Sequence, residues 1–426
     1  MLKNRLFNNP VIEVLFYTQF SLIFFSSMLV FTTRSMLFFL LIWFLASNQL
    51  STSVPLLGLA RGLPIILLAF LGGYIADRFN RKYISMIGHF MKACPVIYLV
   101  YSYFYAQLEV WHAFMIFIVQ GMVWAMDHPS RRLLILDIVG KNRVTTGVSL
   151  DLVMVSFGSI FGPILAALFL KNFDYGWTFL IIAVCLLLAT LLVGFVKQPE
   201  SIQEKPKKYS VKKQLQNFVS SFKDAFLYVK NSYILTSVLV FSLLFSIFVF
   251  PAGELHIVIA KEALIEDVIL TGIIVSASGI GAIIGMIVIA FLKTTRYHWT
   301  IFFSGFCGVF LSLLLLVLSK NAYFIFFALF VYGFTLSGMN IMQHTLILLK
   351  ATEDNRGKII SFMGFVGGLV VLGSLMMYFL MKLFPLENSA RYAVGTSALI
   401  GIGLFLIYYL IIKIKGNKQK DTIESI

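Results

Sequence analysis

Long apolar runs alternate with short polar segments along this chain, and the length of the runs decides the class of structure. A helix crosses a bilayer with about 20 apolar residues. Runs of that kind fall at 11–46, 55–76, 84–106, 111–134, 147–170, 177–196, 232–259, 268–292, 299–319, 322–349, 359–384 and 392–412. The pattern predicts an all-α membrane protein with twelve transmembrane helices. The first run is too long for one simple crossing, so a tilted or protruding start is expected there. Trp43, Trp111, Trp177 and Trp299 sit near span ends, where amphipathic rings favour the interface.

The polar segments set the orientation. With the N-terminus in the cytoplasm, the inside segments carry 24 Lys and Arg, and the outside ones carry 5 (Lys171, Lys261, Lys320, Lys382 and Arg391). That asymmetry places both termini inside. The basic start, Met1 to Arg5, leads into the first run without a small-residue cleavage site, so that run is expected to stay as the first span.

Composition fits the same class: 426 residues, 59% hydrophobic and 12% charged. A net charge of +15 would suggest nucleic acid in a soluble protein. Here the basic residues concentrate in loops, so no nucleic-acid partner is expected. Cys94, Cys185 and Cys307 lie far apart in apolar runs, with neither metal spacing nor pairing. No cofactor, metal or ATP-binding loop is expected.

One long polar segment, 198–231, divides the chain into an N-terminal bundle, 1–197, and a C-terminal bundle, 232–426. Within it Leu215, Phe218, Val219, Phe222, Phe226 and Val229 recur at helical spacing beside Lys212, Lys213, Lys223 and Lys230. Two placements fit: a helix on the anionic inner leaflet, or one packed on the bundle end. The halves carry a weak repeat. Gly121 precedes Lys141-Asn142-Arg143 much as Gly333 precedes Asp354-Asn355-Arg356.

The strongest local signal follows the second run: Gly72-Gly73-Tyr74-Ile75-Ala76-Asp77-Arg78-Phe79-Asn80-Arg81-Lys82. Glycines permit close helix packing, and one acid then sits among three bases at the inner surface. This resembles the signature loop of the major facilitator superfamily, matched at Gly73, Ala76, Asp77, Arg78, Arg81 and Lys82. Asn80 stands where the pattern has glycine, and asparagine tolerates the left-handed turn expected there. The resemblance implies two pseudo-symmetric six-helix bundles around a midplane cavity, in a bacterial inner membrane. It also implies a latch from Asp77 to the inner end of the eleventh span, near Gly357 to Ile359, and to Arg131 or Arg132. The matching loop of the second half, Lys293 to Arg296, has no acid.

A second motif, Gly158, Gly162 and Pro163 in the fifth span, is similar to the antiporter motif of that superfamily, with Ala166 and Ala167 replacing its last glycines. It favours export. Further segments (Phe250-Pro251 to Ala260-Lys261, Ser276 to Ala282, and His128 to Arg131) resemble the branch of the enterobactin exporter and the macrolide efflux proteins.

Ionisable side chains inside spans usually face a cavity or a partner. Arg34 is expected in the outer half of the first span, beside a wet polar stripe of Gln19, Ser26, Ser27 and Thr33. Glu254 and His256 of the seventh span are expected at similar depth across the cavity. Arg34 is then expected to attract an anionic group of the substrate, while Glu254 exchanges a proton; the alternatives are a static Arg34–Glu254 pair or a Glu254 already outside the membrane. Asp127 and Arg131 have the spacing of a local pair. Asp127 and, near the inner mouth, Asp151 are further proton candidates. Asn340 and His344 share a face with Ser337 and are candidate cavity residues. The expected activity is proton-coupled export, by a monomer, of a small anionic or amphiphilic molecule, siderophore-like or drug-like. Proton-coupled uptake, for example of a metal chelate, is the first alternative. A membrane sensor or polytopic enzyme is the second, and the scattered histidines argue against an enzyme.

Overall fold

The computed structural model describes residues 10–140, 142–197, 222–230, 232–264, 267–292, 297–385 and 387–423, with side chains at all of these except 10–12, 69–74, 76–77, 353–354, 357, 360–361 and 412–423. Among the described residues all regular structure is helical. Eleven helices are long and apolar enough to cross a membrane. One of them, Val144–Gly194, has 51 residues, a rise of about 76 Å, more than twice a ~30 Å hydrocarbon core. It breaks at Asp174, whose φ of 61° and ψ of −179° are not helical. The break makes it the fifth and sixth spans, which brings the spans among the described residues to twelve.

The long first run divides. A short helix, Pro10–Leu15, ends before the first span, Thr18–Ser47. Arg34 therefore lies near the middle of a 30-residue helix, only just inside its outer half, because the residues before Thr18 do not belong to the crossing.

The halves repeat one packing device. A Cβ at Gly121 of the fourth span (Val110–Val139) would run into the carbonyl of Arg61 in the second (Val54–Arg78). In the second half, a Cβ at Gly333 of the tenth span (Ala322–Lys350) would run into the carbonyl of Ser278 in the eighth (Val268–Phe291). Both contacts need backbones closer than any larger residue permits. The two bundles are thus built alike at the level of touching atoms.

The seventh span runs from Tyr233 to Ala263 with a π-helical segment, Phe245–Val249, in its middle. Pro251 lacks an N–H and crowds the carbonyl four residues back, that of Ile247. Gly373 of the eleventh span packs directly on that carbonyl. The Ser397 hydroxyl donates to the neighbouring Phe248 carbonyl at 2.9 Å. The freed backbone groups thus face the adjacent spans, as an interrupted membrane helix requires. The irregular stretch aims Glu254 at the second span and His256 at the tenth.

Twelve crossings put the start of the first span and the end of the last on one face, called here the terminus side. On the opposite side the halves are in contact: Lys261 lies over the Trp43 ring at 5.4 Å, and Gly272 packs on Pro163 and Ala167. Gly62 meets Val370 and Val371, and Gly368 meets Ile66. Further toward the terminus side this pairing stops, and a Cβ at Gly364 or Gly367 would meet nothing within 4 Å. Among the described side chains the halves part toward the terminus side.

Of the segment between the halves, 222–230 is described and helical, while Leu215, Phe218 and Val219 lie outside the described residues. Phe222 packs edge-on against Phe362 and Phe365 of the eleventh span. Lys358 reaches Asp224 at 3.1 Å, and the Tyr228 hydroxyl accepts from the Thr352 N–H. This stretch sits on the bundle end.

A charged cleft as the candidate functional site

A cleft of about 150 Å³ opens in the first bundle, lined by Val30, Phe31, Arg34, Lys92, Gln120, Trp124, Asp127, His128, Arg131, Arg132, Asp151, Leu152 and Val155. Four spans supply it. The third (Arg81–Tyr105) contributes Lys92, and the fourth contributes one whole face from Gln120 to Arg132.

Two acids in this lining are held by cations on other helices. Asp127 accepts from the Ser85 hydroxyl at 2.7 Å and lies 3.7 Å from Lys92 and 3.9 Å from His89. The expected local pair of Asp127 with Arg131 does not form. Arg131 instead turns to Asp151 of the fifth span at 2.8 Å and to the Ser27 hydroxyl. Asp151, expected as a proton candidate near the inner mouth, also accepts from Ser27 at 2.8 Å. In low dielectric a cation on a neighbouring helix at good geometry outweighs the ~0.2–0.5 kcal/mol of an i,i+4 pair.

Among the described residues Arg34 has no carboxylate beside it. Its guanidinium lies 5.6 Å from the Phe31 ring, 5.8 Å from Phe38 and 5.4 Å from Trp124. Its Nε is buried without a hydrogen-bond partner. Glu254 does not meet Arg34. Its partner is Arg61 of the second span, 3.2 Å away, with side-chain exposures of 14% for the arginine and 7% for the acid. Depth along a helix put Arg34 and Glu254 at comparable levels, but the direction of each side chain around its helix decided the partner. Arg61 also stacks over Phe38 and Phe250, so Arg34 and Arg61 share the Phe38 ring. Gly58 makes room for the pair: a Cβ there would lie 2.8 Å from Glu254 Oε2 and 2.5 Å from Ser374 Oγ. Both of these oxygens lack a hydrogen-bond partner among the described residues.

The other expected residues scatter. Gln19 sits at the terminus end of the first span and accepts from the Lys197 N–H, so it does not line the cleft. Ser26, Ser27 and Thr33 are buried, bonded to Ala189, Ile23 and Leu29 carbonyls among others, so the polar stripe is dry. His256 is buried edge-on against Tyr332, ring centroids 4.7 Å apart. Asn340 and His344 of the tenth span are exposed where the halves part.

The profile of the Major Facilitator Superfamily matches residues 23–375. The chain belongs to the major facilitator superfamily. Its relatives include the Staphyloferrin A transporter of Staphylococcus aureus, 24% identical over 381 residues, covering 87% of this chain and 90% of that protein. The MFS-type transporter YvqJ of Bacillus subtilis is 22% identical over 347 residues, 80% of each chain. The chain spans only 38% of the length of another B. subtilis MFS-type transporter it matches, YfiS, at 26% identity over 163 residues. Among solved structures, the nucleoside transporter NupG aligns with a TM-score of 0.70 at 13% identity, over 92% of this chain and 99% of that one. A bacterial homologue of the lysosomal transporter Spinster, in an inward-facing and unoccupied conformation, aligns with a TM-score of 0.63 at 12% identity, over 92% and 95%. These likenesses show the fold, that of the multi-pass, MFS-type transporters.

Within that family frame the two motifs do different things. Gly158 and Gly162 bring the fifth span onto the backbone of the first, at Phe31 and at Thr32 and Ser35. Pro163 and Ala167 face Gly272 of the eighth span, so the motif lies at the seam of the two bundles. In the loop motif, Asn80 does not take a left-handed turn. Its φ of −61° and ψ of 119° are extended, and its side chain caps the third span by accepting from the Lys82 N–H at 3.0 Å. Arg81 bridges to Asp137 at the end of the fourth span at 2.5 Å. Lys82 lies over the Tyr83 ring at 5.9 Å, and Arg78 is exposed. The Asp77 side chain and Gly73 lie outside the described ones. Arg131, a candidate partner for Asp77, is engaged with Asp151.

Sequence patterns did not single out Arg61, Lys92 or His89. A usable signal was present. Of 34 Lys and Arg, assigning 24 to inside segments and 5 to outside ones leaves five, Arg34, Arg61, Lys92, Arg131 and Arg132. Four line the cleft and the fifth holds Glu254.

Proposed function

We propose that this chain exports a small anionic or amphiphilic molecule from the cytoplasm in exchange for protons. The observation that carries the reading is the cleft, lined by four cations against two acids, with Arg34 left without a carboxylate. An anion entering from the terminus side meets Arg34 as a counter-ion that the described residues do not supply. The 24 basic residues on that side make it the cytoplasmic face, with both termini inside. The likeness to the Staphyloferrin A transporter favours a siderophore-like substrate, and the fifth-span motif favours export.

In this reading Glu254 is the proton site. It joins the halves through Arg61 on the side opposite the termini. A proton on Glu254 removes that attraction and loosens the closure. Asp127 and Asp151 then serve as counter-charges for Lys92 and Arg131 rather than as carriers. Asp77 and Arg78 remain proposed latch residues of the terminus side.

Uptake is the second reading, and the same pair favours it. With Glu254 ionised, Arg61 and Glu254 neutralise each other, which lets an empty carrier return, as symport requires. Transport into inverted vesicles separates the two. Labelled anionic candidates, a ferric hydroxycarboxylate chelate among them, should accumulate when the vesicle interior is acidic. Glu254→Gln should abolish that dependence while the protein still melts cooperatively. Unchanged pH-driven accumulation in the variant sinks the proton role. Efflux from preloaded vesicles on interior acidification replaces export by uptake.

A further inference from the structure

We infer that the cleft is built for a dianion, a molecule with two anionic ends held apart by an apolar middle. This rests on the proposed anion site at Arg34 and specifies its ligand. The lining holds Arg34, Lys92, Arg131 and Arg132 against Asp127 and Asp151. Each acid is taken. Asp127 sits with Lys92 and Ser85, and Asp151 with Arg131 and Ser27. Two guanidinium groups remain, Arg34 and Arg132, with no carboxylate partner among the described residues.

Those two groups are not neighbours. Arg34 lies near the middle of Thr18–Ser47, while Arg132 lies two turns from the terminus-side end of Val110–Val139. At the rise of a helix they are separated by roughly 10 Å along the membrane normal. Arg34 is the deep one: its Nε is buried without a partner, and aromatic rings surround its guanidinium. Arg132 is exposed at the mouth. The cleft wall also carries Phe31, Trp124, Leu152 and Val155, which offer apolar contact and few polar groups.

The arrangement selects by geometry. A buried guanidinium without a counter-ion is costly, and a carboxylate supplies bidentate acceptors for it. A compact dianion such as sulfate satisfies Arg34 or Arg132 but does not reach both. A long monoanion satisfies Arg34 and leaves Arg132 to water. An acid–apolar–acid molecule satisfies both and covers the wall between them.

The test is equilibrium binding to the purified full-length protein in detergent, by calorimetry. Probes are sebacate, its monomethyl ester, the shorter adipate, and sulfate. Sebacate should bind about tenfold tighter than its monomethyl ester, the value of one charge-assisted hydrogen-bonded contact. Adipate and sulfate should bind more weakly than sebacate. In Arg132→Gln, an exposed substitution compatible with folding, the sebacate-to-ester ratio should fall to about one while ester binding persists. Arg34→Gln should weaken both ligands. Absence of sebacate binding overturns the inference, as does an ester or a sulfate that binds equally well. So does a ratio unchanged in Arg132→Gln. The measurement uses no proton gradient, so its failure is separate from failure of proton-driven export.

Discussion

Replacing Arg61 by alanine tests whether one ion pair keeps the side opposite the termini closed. The pair is buried, with 14% and 7% exposure and a 3.2 Å contact, and it joins the second span of one half to the seventh of the other. Removing one partner of a buried pair typically costs about 3–5 kcal/mol, because the other is left without compensation. Arg61→Ala also removes stacking on Phe38 and Phe250, at 5.1 and 5.0 Å. The whole penalty falls on the closed arrangement, since opening separates these spans and admits water to Glu254. At about 3 kcal/mol the ratio of closed to open carriers falls more than a hundredfold. Spin labels at Ser51 and Glu387, which line the vestibule on that side, report the change by double electron–electron resonance after Cys94, Cys185 and Cys307 are removed. Arg61→Ala should shift the distance distribution to longer values. Arg61→Ala with Glu254→Gln should restore most of the short population, because no buried charge is then orphaned. A distribution unchanged by the single substitution refutes the reasoning. So does a double variant that matches the single one.

Two further outcomes follow from the same geometry. Gly58→Ala places a Cβ 2.5 Å from Ser374 Oγ and 2.8 Å from Glu254 Oε2, an overpacking worth about 1–3 kcal/mol. The same labels should show partial opening that Ser374→Ala partly reverses; no shift means the contact yields without cost. At the loop motif, Asn80→Ser should keep the helix cap and the melting temperature, whereas Asn80→Ala should lose about 1 kcal/mol. Equal loss from both substitutions would show that capping is not what the asparagine does.

The spans were legible because length and hydropathy are properties of the chain read in one dimension. The break near Asp174 was legible too, as the gap between the runs 147–170 and 177–196. Less of the charged site was visible. Periodicity put Ser26, Ser27 and Thr33 on one face of the first span, but all three are buried, with backbone carbonyls and, for Ser27, Asp151 within reach of their hydroxyls. The i,i+4 spacing of Asp127 and Arg131 suggested a local pair. Lys92 and Asp151, on other helices, took the two members apart. Spacing describes which groups can meet on one helix and is silent about a stronger partner on the next.

By itself the sequence determined the membrane class, the twelve crossings, the halves and the superfamily, because each rests on run length or on a contiguous motif. It also confined to the spans the five cations that the loops do not use. Only the tertiary structure decided which acid each cation meets. Arg61 holds Glu254 and Arg34 does not. The reason is physical: Coulomb energy in a low-dielectric interior depends on a few ångströms of separation. Those ångströms are set by helix rotation and by glycines such as Gly58 and Gly121 that let backbones touch.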